Sequence, residues 1–312
     1  MQSLKNILYF ADGRFGWTRA LQRAVALARR SGARLSLMDV TMESGIGAEL
    51  VKRYGLDDDI QQCEQRYAAL DQLAADWPAD LEAPRLRVTI GHPFIEVIQT
   101  VLRDGHDLVI KPARTRPGEV QPFDSADMHL LRKCPCPVWI DRDTSDHATT
   151  DGWDARPRCR RIVAAVDPVQ PESVAISARI LDASVAVAEQ DGAPLDLVHA
   201  WQPPAASPAL AEAIAQIERE YADALETLTA VTAHSGVECK GHLLRGRPAD
   251  EISARAEALD ADLLVMSTLS RPRDPGLFIG TAAEDLLQKT TLSVLALKPE
   301  GFVSPVTLAG DY

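Results

Sequence analysis

Short apolar runs alternate with amphipathic stretches along the whole chain. Lys5–Phe10 (KNILYF) predicts a strand that ends at Asp12-Gly13. Arg19–Arg30 carries Leu21, Val25 and Ala28 at helical spacing, and Gly32 stops the helix. Arg34–Val40 predicts a second strand, Ile60–Leu73 a helix broken at Trp77-Pro78, and Arg85–Ile90 a third strand. Gly91-His92-Pro93 leads into a helix over Phe94–Arg103, and Asp107–Ile110 predicts a fourth strand. Lys111–Asp127 reads as a polar loop, His129–Lys133 as the end of a helix, and Pro137–Ile140 as a fifth strand. Glu43–Leu56 is an insertion with no clear period.

The pattern then starts again. Ile7–Gly13 (ILYFADG) returns as Ile162–Pro168 (IVAAVDP), Gly91–Ile95 as Gly246–Asp250, and Asp107–Ile110 as Asp262–Val265, each 155 residues later. Leu130–Ile140 returns as Leu286–Ala296, displaced by one. Ordered matches at one offset mean two copies of a domain, because the period is far too long for a solenoid. The charged stretch Asp141–Arg158, with its glycine and proline, separates them. The expected organisation is a first domain over 1–143, a linker over 144–158, a second domain over 159–300 and a tail over 301–312. Strands alternating with helices imply α/β domains, each a doubly wound parallel five-stranded sheet covered on both faces.

Asp262–Lys298 carries the chemistry. Leu263–Met266 predicts a buried strand, Ser267–Ile279 a loop, Thr281–Lys289 a helix and Ser293–Leu297 another strand. A loop that leaves the carboxyl end of a parallel strand and meets a helix N-terminus suits an anion, because free N–H groups and the helix dipole converge there. Arg271 and Arg273 add cations.

Composition narrows the classes. The 312 residues suit two domains, 46% hydrophobic content supplies cores, and a net charge of -12 argues against a nucleic-acid surface. No stretch reaches the length of a membrane span, and the N-terminus has no cleavage pattern, so a cytoplasmic protein without membrane contact is expected. Five scattered cysteines fit reduced thiols, and Cys134-Pro-Cys136 reads as small residues leading into a buried strand. None of the seven histidines has metal-ligand spacing, although His92 and His199 fall near strand ends. No nucleophile elbow is present.

The half-domain pattern resembles the universal stress protein family. The residues that carry the likeness are Asp12 and Asp167 ending the first strands, the two G-x-P segments after the third strands, and an apolar fourth strand leading to a long loop. The paired halves, with LLRKCPCPVW closing the first, are similar to the tandem-domain subgroup. The resemblance implies strand order 3-2-1-4-5, adenine-nucleotide hydrolase-like or flavodoxin-like layering, and two domains packed as a pseudo-dimer.

It also implies a stress-linked binding and signalling role. Nucleotide-binding members carry G-x2-G-x9-G-[ST] after strand four. Ser267, Ser270 and Gly280-Thr281 keep that spacing, with Thr268 inside it. By resemblance Asp167 and Ala200 would lie near the base, Gly246 belongs to the G-x-P turn, and Ser293-Val294 would make a last ribose or phosphate contact. ATP or a related nucleotide, accompanied by Mg²⁺, is the implied ligand of the second domain. Asp167 has a second reading, as the cap of the following turn.

The first half departs from the motif. Pro112, Thr115 and Asp124-Ser125 stand at its seats, and Asp124 would repel a phosphate. Arg114, Arg116 and Lys111 are close by. Phe123, Met128 and Trp139 could line an apolar ligand site there, or fill the space themselves. The chain is thus expected to bind a nucleotide rather than to be a dedicated enzyme. A slow ATPase and a nucleotide-free interaction module are the alternatives, and a homodimer of tandem chains is the expected form of any self-association.

Overall fold

The computed structural model describes residues 4–42, 58–114, 122–142, 157–205, 209–268 and 280–308. They divide into two compact units, one over 158–303 and the other over 2–157 together with 304–312. The C-terminal segment therefore belongs with the first half, where Gln99 Nε2 on its third helix donates to the Thr307 carbonyl at 3.0 Å.

The first unit runs β1 (Asn6–Phe10), α1 (Arg19–Ser31), β2 (Arg34–Thr41), α2 (Asp58–Ala75), β3 (Arg85–Ile90), α3 (Pro93–Asp104), β4 (Leu108–Pro112), α4 (Ser125–Lys133) and β5 (Val138–Asp141). All its strand pairings are parallel, in the order β3-β2-β1-β4-β5. The second unit runs β6 (Ile162–Ala165), α5 (Pro171–Asp191), β7 (Leu195–Trp201), α6 (Ala211–Ala233), β8 (Cys239–Arg245), α7 (Pro248–Ala258), β9 (Leu263–Ser267), α8 (Thr281–Lys289) and β10 (Ser293–Leu297). Its pairings are again parallel, in the order β8-β7-β6-β9-β10.

The central strands form because their apolar runs can be buried on both faces. β1 and β4 have every residue buried, whereas the edge strands β3 and β8 are half-covered. Each unit anchors the start of its first strand with the same device. Asp107 accepts the Lys5 N–H at 2.7 Å, and Asp262 accepts the Arg160 N–H at 2.9 Å.

Helix ends follow local chemistry. Thr18 caps α1 by accepting from the Leu21 N–H at 3.2 Å, and Gly32 closes that helix in the left-handed conformation. In the G-x-P turns, Pro93 and Pro248 take the first helical positions, where a missing N–H costs nothing. Gly91 and Gly246 are required there. Their φ values are +156° and +154°, and an added Cβ would come within 2.7 Å of Glu96 and 2.4 Å of Glu251.

Two expected boundaries shift. Lys111 and Pro112 belong to β4 and not to the following loop, and α4 begins at Ser125, so Asp127 is helical. The insertion over 43–56 and Thr115, Arg116, Ser270, Arg271 and Arg273 lie outside the described residues.

Candidate functional site

In an open doubly wound sheet the connections leave in opposite directions at one point, and a crevice opens at the carboxyl ends of the two strands there. In the second unit those strands are β6 and β9. A cavity of about 190 Å³ lies at this place. Its floor is Ala165, Val166, Asp167, Met266 and Ser267, and its walls come from α5, α7 and α8. Ile176, Ile180, Ile252 and Leu286 make it largely apolar, with Ser173, Ser177 and Asp167 as polar points. This volume is below the roughly 300–1,000 Å³ of sites for drug-sized ligands, so it suits one ring system and leaves any charged tail outside.

Of the residues predicted for the site, Asp167, Ala200 and Ser267 line this cavity. Asp167 also serves the turn ahead of α5: its Oδ1 accepts from the Gln170 N–H at 3.3 Å, and its own N–H donates to Ser177 Oγ at 3.0 Å. Gly280 precedes α8 and makes no side-chain cap, and Thr281 opens that helix in an exposed position. Thr268 is buried, bonded through Oγ1 to the Lys298 ammonium, with its carbonyl accepting from the Gly280 N–H at 3.3 Å. It links strand to helix and is absent from the cavity lining. Gly246 shapes the turn into α7 and lies outside the cavity wall, where Pro248 is found instead.

Ser293 and Val294 require correction. They open β10 in register with Leu263 and Leu264, at the amino end of the sheet, whereas the cavity is at the carboxyl ends. Strand direction alone separates them from the site. The α8 residues that reach the cavity are Ala282, Ala283 and Leu286, the first two just after Gly280-Thr281.

One lining residue has no place in the motif. His199 lies in the buried part of β7, next to Ala200, and is 6% exposed. Its Nδ1 lies 2.8 Å from the Val166 carbonyl, and its ring packs on Tyr221 of α6 with centroids 4.2 Å apart. Burial lowers its pKa, outweighing the upward pull of the Val166 carbonyl and of Asp167. A histidine in an apolar strand gives no signal of its own in sequence.

The first unit fills the equivalent place with charge. Strand register equates Lys111 with Met266, since each lies three residues beyond the partners Leu108 and Leu263 of Ile7 and Ile162. Helix position equates Asp127 with Ala283, each the third residue of its helix. The Lys111 side chain is fully buried and bridges Asp12 at 3.0 Å and Asp127 at a shorter contact. Arg114 adds a two-pronged bond to Asp12, at 3.1 Å for each nitrogen.

Burial by itself would lower the Lys111 pKa, but Asp127 and Asp12 together hold it raised, so the group stays an ammonium. Burial would raise that of Asp12, and Lys111 and Arg114 together hold it below the ordinary carboxylate range. Asp124, at the phosphate seat, accepts from the Asp127 N–H at 2.8 Å in a capping box, so the helix start is already satisfied by its own carboxylates. Phe123 and Trp139 are buried, with the Arg142 and Arg23 guanidinium carbons 4.1 and 4.7 Å from their ring centroids. They pack the core beside the cluster.

Each unit is a doubly wound α/β domain, and the second carries a cavity at its switch point. The family model for the universal stress protein family matches twice, over residues 3–142 and 159–298. The chain belongs to that family, as a tandem member. It is 27% identical over 328 residues to universal stress protein E of Escherichia coli (strain K12), covering 99% of this chain and 98% of that one. The protein of the same description from Photorhabdus laumondii is 27% identical over 329 residues, covering all of both chains. Among solved structures, a universal stress protein from Pseudomonas aeruginosa UCBPP-PA14 superposes with a TM-score of 0.66 at 24% identity, covering 96% of this chain and 94% of its own. One from Archaeoglobus fulgidus DSM 4304 gives 0.62 at 16% identity, covering 94% and 96%. These likenesses concern the fold. Among the described residues no three histidine, cysteine or acidic side chains cluster as a metal site, and no helix is long and apolar enough to cross a membrane.

Proposed function

We propose that this tandem universal stress protein is a cytoplasmic, stress-linked binding and signalling protein that takes ATP or a related nucleotide in its second domain only. The observation that carries the reading is the exchange at equivalent positions. Asp167, Met266 and Ala283 line an open cavity, whereas Asp12, Lys111 and Asp127 are joined in a buried ion cluster. The base would enter the apolar cavity beside Asp167 and Ala200. The phosphates would run towards Ser267, Ser270 and the uncapped start of α8 at Gly280-Thr281, where N–H groups and the helix dipole favour negative charge. Mg²⁺ would be held by the phosphates and water.

The first domain serves as the structural partner, and the reading includes pseudo-dimer packing of the two domains, checked by a crosslink between their fifth strands. The deciding experiment is twofold. Denaturing the purified chain and identifying any released small molecule should yield an adenine nucleotide. Calorimetric titration of the emptied protein should give one ATP site per chain. Recovery of no nucleotide and no heat with ATP would overturn the proposal in favour of an interaction module.

A further inference from the structure

We propose that the second-domain cavity is gated by ionic strength: α8 is its movable wall, and the ion pairs that tie α8 to α7 are a latch that salt releases. The inference does not depend on which ligand the cavity takes. α7 supplies Pro248 and Ile252 to the lining, and α8 supplies Ala282, Ala283 and Leu286. The spacing of these two helices therefore sets the width of the cavity. α8 is short and lightly held. It packs on α7 more than on any other element, and of its nine residues only Leu286 and Leu287 are buried. An element with few buried apolar side chains is among the first to move.

What fastens the rest of α8 is charge. Lys289, in its last turn, pairs through its ammonium with Asp250 of α7, and Arg247, at the start of α7, lies 3.4 Å from Asp285 of α8. Arg247 also lies 3.8 Å from Asp250, so two cations and two carboxylates alternate across the seam. The Lys289 ammonium holds the Asp250 carboxyl below the ordinary carboxylate range, so this pair stays charged at neutral pH. All four side chains are about half in water. Pairs so exposed are weak and are screened by salt, which suits a catch that opens and not a permanent tie. Counted from the helix starts, the first domain carries His92, Ile95, His129 and Lys133 at these four positions. There His129 stacks on Phe94 with ring centroids 4.4 Å apart, and Lys133 Nζ lies 4.9 Å from the centroid of the Phe94 ring. The alternating charges thus occur where the crevice is lined by small and apolar side chains, not where a buried ion cluster occupies it.

The test measures how readily a thiol inside the cavity reacts. Ser173→Cys and Ser177→Cys, near-isosteric changes at buried lining positions, are made separately in the full chain. Methyl methanethiosulfonate labelling of each cysteine is timed by peptide mass spectrometry. Cys159, buried in the same domain, reports global unfolding, and the partly exposed Cys63 of α2 reports any effect of salt on the reagent. Raising sodium chloride from about 0.02 to 0.5 M shortens the reach of exposed charges from about 20 to 4 Å. Labelling at the lining positions should then quicken about fivefold, the scale of one or two exposed ion pairs, with no change at Cys159 or Cys63. With Asp250→Asn and Asp285→Asn added, labelling there should be fast at low salt and indifferent to salt. Equal rates at both salt concentrations with the latch intact, or a salt response that survives the two Asn changes, overturn the inference. Labelling of Cys159 in step with the lining positions overturns it too, since the whole domain would then be opening.

Discussion

Lys111 Nζ lies 3.0 Å from Asp12 Oδ2, at the place where the second domain has Met266 and Asp167 lining a cavity. A buried charge pair is costly to break, because removing one partner leaves the other desolvated. Lys111→Met should therefore destabilise the first domain by about 3–5 kcal/mol, read as a lower first transition in thermal or urea unfolding. Lys111→Met combined with Asp127→Ala, the residues of the second domain, should recover most of that loss. Arg114 continues to pair Asp12 in the double variant. A double variant less stable than the single one would contradict this account of the cluster.

Transplanting the cluster the other way tests the site. Met266→Lys with Ala283→Asp should place an ammonium between Asp167 and the new carboxylate, inside the cavity. ATP binding should disappear while the thermal transition of the second domain stays within a few degrees. Retained binding would mean that the nucleotide does not use this cavity.

Gly280→Asp puts at the start of α8 the residue that caps α4 at Asp124. The new carboxylate would accept from N–H groups of the first turn and repel phosphate, by about 4 kcal/mol for like charges some 4 Å apart near a protein surface. Affinity for ATP should fall below calorimetric detection, while affinity for adenosine, which lacks phosphates, should change little. Equal losses for the two ligands would show instead that the loop had been deformed.

Stability should decline as the solution is acidified below about pH 6.5, the ordinary histidine value. His106 and His199 have folded-state pKa values lowered, in each case mainly by burial. The folded state therefore holds fewer protons than the unfolded one in this range. The stability they contribute is present above the unfolded value and is lost as pH falls through the folded values. His106 Nε2 lies 3.1 Å from Ser36 Oγ, so His106→Gln, which can keep that contact, should flatten the decline measured by unfolding at pH 7.5 and 5.5. An unchanged slope would place the titration elsewhere.

The duplication, the strand runs and the helix ends marked by glycine and proline were legible in the chain itself, because each depends on near neighbours. A strand buried on both faces must read as a continuous apolar run, and residues 7–10, 108–110, 162–165 and 263–266 do. A G-x-P turn needs its glycine and proline side by side, as at Gly91–Pro93 and Gly246–Pro248. Asp167 and Ala200, assigned by resemblance, and Ser267, assigned from its spacing to Gly280, line the cavity. Ser293 and Val294 were assigned by resemblance alone, and strand direction puts them at the far end of the sheet. What only the tertiary structure decided is the state of each polar group. Lys111 opens a polar stretch in sequence and reads as a loop cation, yet it is a buried strand residue because Asp12, from the turn after β1, and Asp127, from α4, neutralise it. His199 reads as one more residue of an apolar strand. Among the described residues its Nε2 has no partner, since Nδ1 contacts the Val166 carbonyl and Pro168, unlike Gly13, brings no N–H. Whether a buried polar atom is satisfied depends on groups far away in the chain, and that sum is taken only when the strands are in place.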